Sequence, residues 1–532
     1  MNAFAAPPLW WTVVIFASLV LVLRGNVAPM PSYVWGVFAL PFLSHAVAGY
    51  ATGSLEVLWS PYQKLEIFSS DDFVGGYSIE VNNAGYQWIS NLTRENLDRH
   101  PDKFKLERRG YGGNDLPYRF APEAKSSLIV GAGTGNDVAA AIRSNISRIL
   151  AVEIDPEIVE LGRRYHPEKP YESSSVQVVV SDARAVFNTT AEKFDVVVFG
   201  LLDSHTTSGR TSQRLDSFVY TKESLERAKA LLSESGILFL KFATPERYIH
   251  HRLFNLVLEV FGEQPLVLSL PRTAGDVGGV VFLSGSKSTI ENALRNNSEL
   301  RQIAEQMSFS PSIDLNVPLT TDDWPYLYLE YPKIPLVFGL FGIILIGLYF
   351  FNAKRSRADI KLFPFSTEDA HFFFLGAAFL LFEVQNISKA SLILGNTWEV
   401  NAMIIFSIMM LILLANFLVS KFPKIPTLPC FLLLLASIAC LYFTDLSSIS
   451  IEDAMLRAFT VTFLVTSPLF LSGICFIRAF EQSERRDRAY GVNMFGSLVG
   501  GLLEFFSFLF GIKFLLVLVF CLYSFALLSR PR

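Results

Sequence analysis

The sequence predicts two structural units: an α/β Rossmann-like domain led by a small N-terminal β element, and an all-α polytopic transmembrane bundle. Three observations predict them. Charged residues are frequent and apolar runs short from about 53 to 331, whereas long runs of Phe, Leu, Ile and Val fill 334 to 529. From 127 onward the first region alternates strand-like and helix-like segments, the pattern of a mostly parallel sheet covered by helices. At 532 residues the chain also exceeds what one ordinary core serves. The expected division is 1–52 as N-terminal membrane segments, 53–90 as a β-hairpin element, 91–331 as the Rossmann-like domain and 332–532 as a bundle of about seven helices.

A helix needs roughly 20 apolar residues to cross the hydrocarbon core, because its backbone amides must be satisfied internally there. Spans are expected near 334–351, 370–394, 398–419, 428–444, 455–477, 491–510 and 512–529, with 3–23 and a weaker 31–51 upstream. Residues 1–8 contain no Lys or Arg, so the first segment reads as a retained anchor rather than a cleaved signal peptide. The net charge of −4 and the lack of a long basic run argue against a nucleic-acid partner. Cys430, Cys440, Cys475 and Cys521 all fall in the apolar half at irregular spacing, which excludes a zinc-type cluster, and no metal is expected.

Leu55 to Phe68 and Tyr77 to Ile89 read as strands, the second containing a turn signal at Asn82-Asn83-Ala84-Gly85. The alternation that follows places strands at 127–131, 149–154, 176–181, 194–201 and 236–242. Helices are placed at 137–144, 156–165, 221–234 and 246–261. Two more strands, near 265–270 and 279–284, are expected to pair as an antiparallel edge.

The first strand-to-helix turn contains Gly131, Gly133 and Gly135, which allow a tight turn and let a ligand approach the helix N-terminus. Glu153 stands twenty residues after Gly133 at the end of the next strand, where a carboxylate can accept hydrogen bonds from both ribose hydroxyls. Asp182-Ala183 follows the third strand at the same sheet edge. Any one of these acids could simply cap the next helix, but three in order point to nucleotide binding. Asp203, at the end of the fourth strand, is the candidate reactive group; Ser204 lacks the elbow motif of a serine nucleophile.

Ser60-Pro61-Tyr62-Gln63-Lys64, Tyr86-Gln87, the Gly131–Asp137 turn, Val152-Glu153-Ile154-Asp155, Asp182-Ala183 and Phe194-Asp195-Val196-Val197-Val198 with Asp203 resemble the spermidine synthase (polyamine aminopropyltransferase) family. The resemblance extends to bacterial members fused to transmembrane helices, through Phe373–Asn416 and Gly491–Glu504. It implies a methyltransferase-type fold over about 55–285 and decarboxylated S-adenosylmethionine or S-adenosylmethionine as co-substrate. It makes Gln63 a donor-side contact, Glu153 the ribose acid, Asp182 with Ala183 the adenine edge and Asp203 the proton acceptor. Tyr62, Gln87 and Asp115 fall on the side of a small cationic amine substrate. The sequence departs from the family where Thr134 and Gly200 replace two customary acids, and where Tyr111–Tyr118 replaces a Tyr-His-Glu segment. The expected function is a membrane-bound aminopropyltransferase. The alternatives are an S-adenosylmethionine-dependent methyltransferase and a non-catalytic nucleotide-sensing domain on a transport or scaffold bundle.

Within the bundle, Glu383, Asn386 and Lys389 share an arc of about 120° on one helix face and must face protein or water, because a charge at that depth costs about 2.5 kcal/mol or more. Gly496 and Gly500 predict close helix packing, with Glu504 on the same face. The basic loops around Lys354–Lys361, Lys421–Lys424, Arg478–Arg488 and Arg530 fall on one side if the spans alternate. By the positive-inside rule that places the nucleotide-binding domain outside the cytoplasm of a multi-pass protein of the bacterial inner membrane. The lipid bilayer is thus the first expected partner; self-association is left open.

Overall fold

The computed structural model describes residues 10–15, 17–18, 53–70, 72–202, 215–309, 313–355, 366–444, 451 and 453–530. Asp203, most of the first N-terminal span and all of the second lie outside the described residues.

The chain first forms a four-stranded antiparallel sheet in sequence order, β1 Glu56–Trp59, β2 Lys64–Ser70, β3 Gly76–Val81 and β4 Ala84–Ile89. The hairpin expected at Asn82-Asn83 is its last connection. Both asparagines adopt positive φ, 51° and 66°, as a two-residue turn matching the strand twist requires.

The second sheet is built from β5 Ser126–Val130, β6 Arg148–Glu153, β7 Val176–Val180, β8 Phe194–Phe199, β9 Leu232–Phe242, β10 Leu266–Leu270 and β11 Gly279–Gly285. Its strand order is β10-β11-β9-β8-β5-β6-β7. Strands β5 to β9 pair in parallel, while β11 runs antiparallel between β9 and β10. This is the order of methyltransferase-type Rossmann domains. All five residues of β5 are buried, as expected of a central strand covered on both faces. The expected edge pair does form, but β11 crosses back to lie inside β10.

Helices of this domain are α1 Arg94–Arg99, α2 Leu116–Phe120, α3 Asn136–Arg143, α4 Pro156–Tyr165, α5 Ala183–Thr189, α6 Lys222–Ala230, α7 Arg247–Phe261, α8 Lys287–Asn296 and α9 Ser298–Met307. Helix α6 stops four residues before the expected end, because Leu232 already pairs with Phe194 of β8. Ile158 and Leu161 of α4 pack with Leu65, Ile67, Ile79, Val81 and Ile89 of the small sheet, which joins the two sheets.

The C-terminal helices are α10 Leu336–Arg355, α11 Thr367–Leu394, α12 Trp398–Lys421, α13 Thr427–Phe443, α14 Ala454–Gln482, α15 Arg486–Leu503 and α16 Lys513–Leu528. Four segments among the described residues are long and apolar enough to cross a membrane: Thr367–Leu394, Trp398–Lys421, Met455–Gln482 and Arg486–Phe510. The apolar stretches of α10, α13 and α16 are shorter. Helices α11 and α15 meet backbone to backbone. A Cβ on Gly496 would stand 2.0 Å from the Phe373 carbonyl oxygen, and one on Gly500 2.2 Å from that of Ala377. Glu383, Asn386 and Glu504 are buried, and the Lys389 ammonium donates to the carbonyls of Leu441 and Thr444.

A strap after α9 fastens the domain to the bundle. Arg252, fully buried on α7, donates to the carbonyls of Pro318, Leu327 and Glu330. The strap's far side bonds the bundle, Trp324 Nε1 to the Phe508 carbonyl at 2.9 Å and the Lys513 amide to Asp323 Oδ1 at 2.6 Å.

Candidate functional site

Parallel strands direct their carboxyl ends to one edge, and where the connections diverge, between β5 and β8, a crevice opens. It is an open cleft lined from β4 of the small sheet and from β6 and β9 of the large one. Gly131 and Gly133 line it at φ 68° and 56°, left-handed values that suit glycine. Gly135, at φ 106°, does not line it; it caps the start of α3.

Glu153 is buried beneath the Gly-rich turn. Its Oε2 accepts from the Gly133 amide at 2.9 Å, and its Oε1 from the amides of Ile154 and Asp155 at 2.9 and 3.1 Å. Burial raises its pKa although these three amides oppose it. Oε1 already accepts two amides, so it is Oε2, with one, that keeps a second lone pair for a further donor. Asp182 caps α5 through its Oδ1, which accepts from Arg184 and Ala185 at 2.7 and 3.2 Å, and it lines the crevice as well. The capping role and the crevice position coincide in one residue.

Gln63 and Gln87 line the crevice but are already bonded to protein. Gln63 Nε2 donates to Asp155 Oδ2 at 3.1 Å, and Gln87 Oε1 accepts from the Thr134 amide at 3.1 Å. Thr134, at the position of a customary acid, thus helps Gln87 hold the turn. Tyr62 and Ala183 line the same space. Asp115 does not: its Oδ1 accepts from Nη2 of Arg143 at 2.9 Å, and its neighbour Asn114 takes the place in the wall. Arg143, two turns along α3 from Asn136, is the cation that draws Asp115 away.

The structure brings in groups that the motifs alone do not single out. Asp137, Asp155, Asp216 and Lys241 line the crevice. Burial pushes Asp137 up to about 6, with Lys241 pulling the other way, and pushes Asp155 up to about 7. Lys241 is buried and pairs with Asp276 at 2.5 and 2.7 Å. Asp137 and Asp155 stand inside the motifs, directly after the Gly-rich turn and after Glu153. Lys241 is marked in the sequence by being a charge near the end of an apolar strand, whereas no motif marks Asp216, the fourth. Among the described residues the carboxylates of Asp137, Glu153, Asp155, Asp182 and Asp216 therefore face one lining cation, Lys241.

Fold and crevice define the class: a doubly wound α/β domain of methyltransferase-type topology with an acid-rich ligand crevice at the strand carboxyl ends. Within that class the resemblance to the spermidine synthase family is shown, since residues 114–289 match the family model described as the spermine/spermidine synthase domain. Polyamine aminopropyltransferase 2 of Aquifex aeolicus is 24% identical over 322 residues, covering 56% of this chain and 61% of that protein. A polyamine aminopropyltransferase of Saccharolobus islandicus is 24% identical over 192 residues, 35% of this chain and 62% of that one. The chain thus spans about six tenths of the length of these relatives. A spermidine synthase structure from Thermotoga maritima overlaps at a TM-score of 0.36 with 17% identity, covering 49% of this chain and 85% of that one; the topology stands on the strand order above.

Proposed function

We propose that this chain is a membrane-bound aminopropyltransferase that moves an aminopropyl group from decarboxylated S-adenosylmethionine to a cationic amine. The observation that carries the proposal is the acidic lining of the crevice, five carboxyl groups against one lysine, because donor and acceptor are both cations. Glu153 would take the ribose hydroxyls, Asp182 and Ala183 the adenine edge, and Tyr62 and Gln87 the acceptor side. In the reaction the amine nitrogen attacks the propyl carbon beside the sulfonium, the carbon–sulfur bond breaks and methylthioadenosine leaves. The nitrogen's proton goes to Asp203, which follows the crevice-lining Leu202 directly in the chain.

Lys241 favours a second reading, methyl transfer from intact S-adenosylmethionine, whose carboxylate a buried ammonium could meet. Full-length protein in detergent, incubated with putrescine and either donor, separates the two by mass spectrometry. Methylthioadenosine with an aminopropylated product supports the first, and S-adenosylhomocysteine the second. Asp203→Asn should stop aminopropyl transfer with donor binding retained; turnover in that variant would remove Asp203 from the role.

The domain's proposed side is extracytoplasmic. Arg488 pairs with Asp369 at 2.7 Å and Arg530 donates to Thr427 at 2.9 Å, which gathers the starts of α11, α13 and α15 with the end of α16. The domain touches the opposite end, through Asp323 and Lys513. Lys421, Lys424, Arg485, Arg486, Arg488 and Arg530 belong to the end away from the domain, which the positive-inside rule assigns to the cytoplasm.

A further inference from the structure

The crevice wall at Asp182 is lined by the α/β domain but backed from outside it. The short turn joining α11 to α12 reaches Asp182 from the bundle. Gly395 in that turn has φ +94°, and a Cβ there would stand 2.8 Å from the Asp182 Cβ and 3.2 Å from that of Ala185. The Asn396 amide donates to the Asp182 carboxylate, and the Trp398 amide to the Tyr62 hydroxyl. Just before the turn, Asn188 Nδ2 of α5 donates to the Leu392 carbonyl at 3.2 Å. Asp182 and Tyr62 both line the crevice, so two wall residues are bonded from behind by backbone amides of one bundle turn.

We infer that Gly395, Asn396 and Trp398 are positioning residues of the nucleotide site, and that occupancy of its adenine end is coupled to the α11–α12 hairpin. The inference rests on the adenosyl-ligand reading above. Backbone amides fixed by a helix hairpin orient a carboxylate more firmly than water does. A ligand that bonds Asp182 in this orientation therefore binds better when the turn is docked, and by reciprocity its binding holds the turn in place. Glycine is required at 395 on two counts, the positive φ and the absence of room for a side chain. Helix α11 carries Glu383, Gln385, Asn386 and Lys389 into the bundle, so the coupled element is also the one with the buried polar face.

The test uses full-length protein in detergent and methylthioadenosine as probe. Gly395→Ala is expected to weaken calorimetric binding about tenfold or more, and Asn188→Ala, which cuts one bond of the dock at a residue that does not line the crevice, by a smaller factor. In the wild type the probe is expected to slow hydrogen exchange of the amides at 392–399. Wild-type affinity in Gly395→Ala, or unchanged exchange at 392–399 on saturation, overturns the coupling while leaving the adenosyl reading intact. Should Gly395→Ala fail to fold, the exchange measurement on wild type decides alone. No binding of the probe to wild type overturns the adenosyl reading and the coupling with it.

Discussion

The Oδ2 atom of Asp137 lies 3.3 Å from the point where a Cβ on Gly200 would stand. The place beside Gly200, where the family resemblance implies an acid, is thereby occupied by the carboxyl of Asp137 from the start of α3. The replacement is buried, and burial pushes its pKa up to about 6. Below that pH the carboxyl is neutral, and above it is the anion that a cationic donor tail requires. Affinity for decarboxylated S-adenosylmethionine is therefore expected to rise by several-fold between pH 5 and pH 7, in calorimetry corrected for buffer ionisation. Asp137→Asn should flatten the profile and weaken binding at pH 7. A profile equally steep in the variant would assign the titration to another group.

Asp155 gives a pH dependence of stability. Its carboxyl is pushed up to about 7, by burial first and by Glu153 as well, from an ordinary value of 3.8. Because the folded-state pKa is raised, the stabilising contribution is full below the unfolded pKa and is lost as pH climbs through about 7. The apo protein's melting midpoint should fall between pH 5 and pH 8, and Asp155→Asn should remove part of that fall, on the order of 1 to 3 kcal/mol. A midpoint with the same slope in the variant would exclude Asp155 as the source.

Removing the Glu153 carboxylate leaves the Gly133, Ile154 and Asp155 amides short of an acceptor and the proposed ribose unpaired. Glu153→Ala should weaken methylthioadenosine by about 1 to 3 kcal/mol, with circular dichroism in detergent unchanged. Equal affinity would take Glu153 out of the site.

Lys241 and Asp276 form a buried pair, and losing one partner leaves an uncompensated charge. Lys241→Met should cost about 3 to 5 kcal/mol of stability, and the double change Lys241→Met with Asp276→Leu less than the single one. Thermal melts of the three proteins form the cycle. If the double variant melts lowest, an unpaired charge is not what destabilises the single one.

Gly500 meets the Ala377 carbonyl with no space between the helices. Gly500→Leu should force α15 from α11 and shift the detergent-solubilised protein toward aggregates on gel filtration, while Gly491→Leu, with nothing within 4 Å of its Cβ, should not. Matching elution of the two variants would count against close α11–α15 packing.

The proposed side of the domain is open to labelling. On a background with the four cysteines replaced, Ala191→Cys, exposed on the domain, should react with an impermeant maleimide in intact cells, and Arg485→Cys should not. The reverse pattern would make the domain cytoplasmic.

The sequence by itself determined what depends on neighbours along the chain. The strand and helix rhythm from 127 to 261, the glycine turn, the acid closing β6 and the long apolar helices all follow from local periodicity and conformational freedom, which the fold leaves in place. The Asn82-Asn83 turn is of the same kind. Tertiary structure alone decided which charges meet. Asp115 turns to Arg143, a helix away in the sequence, and not to the crevice. Lys241 finds Asp276 across the sheet because β11 lies inside β10. Gly395 reaches Asp182 from a helix hairpin more than two hundred residues downstream. Such pairings are set by how preformed elements stack. A carboxylate's partner is whichever donor the packing brings within about 3 Å, and no spacing along the chain encodes that distance.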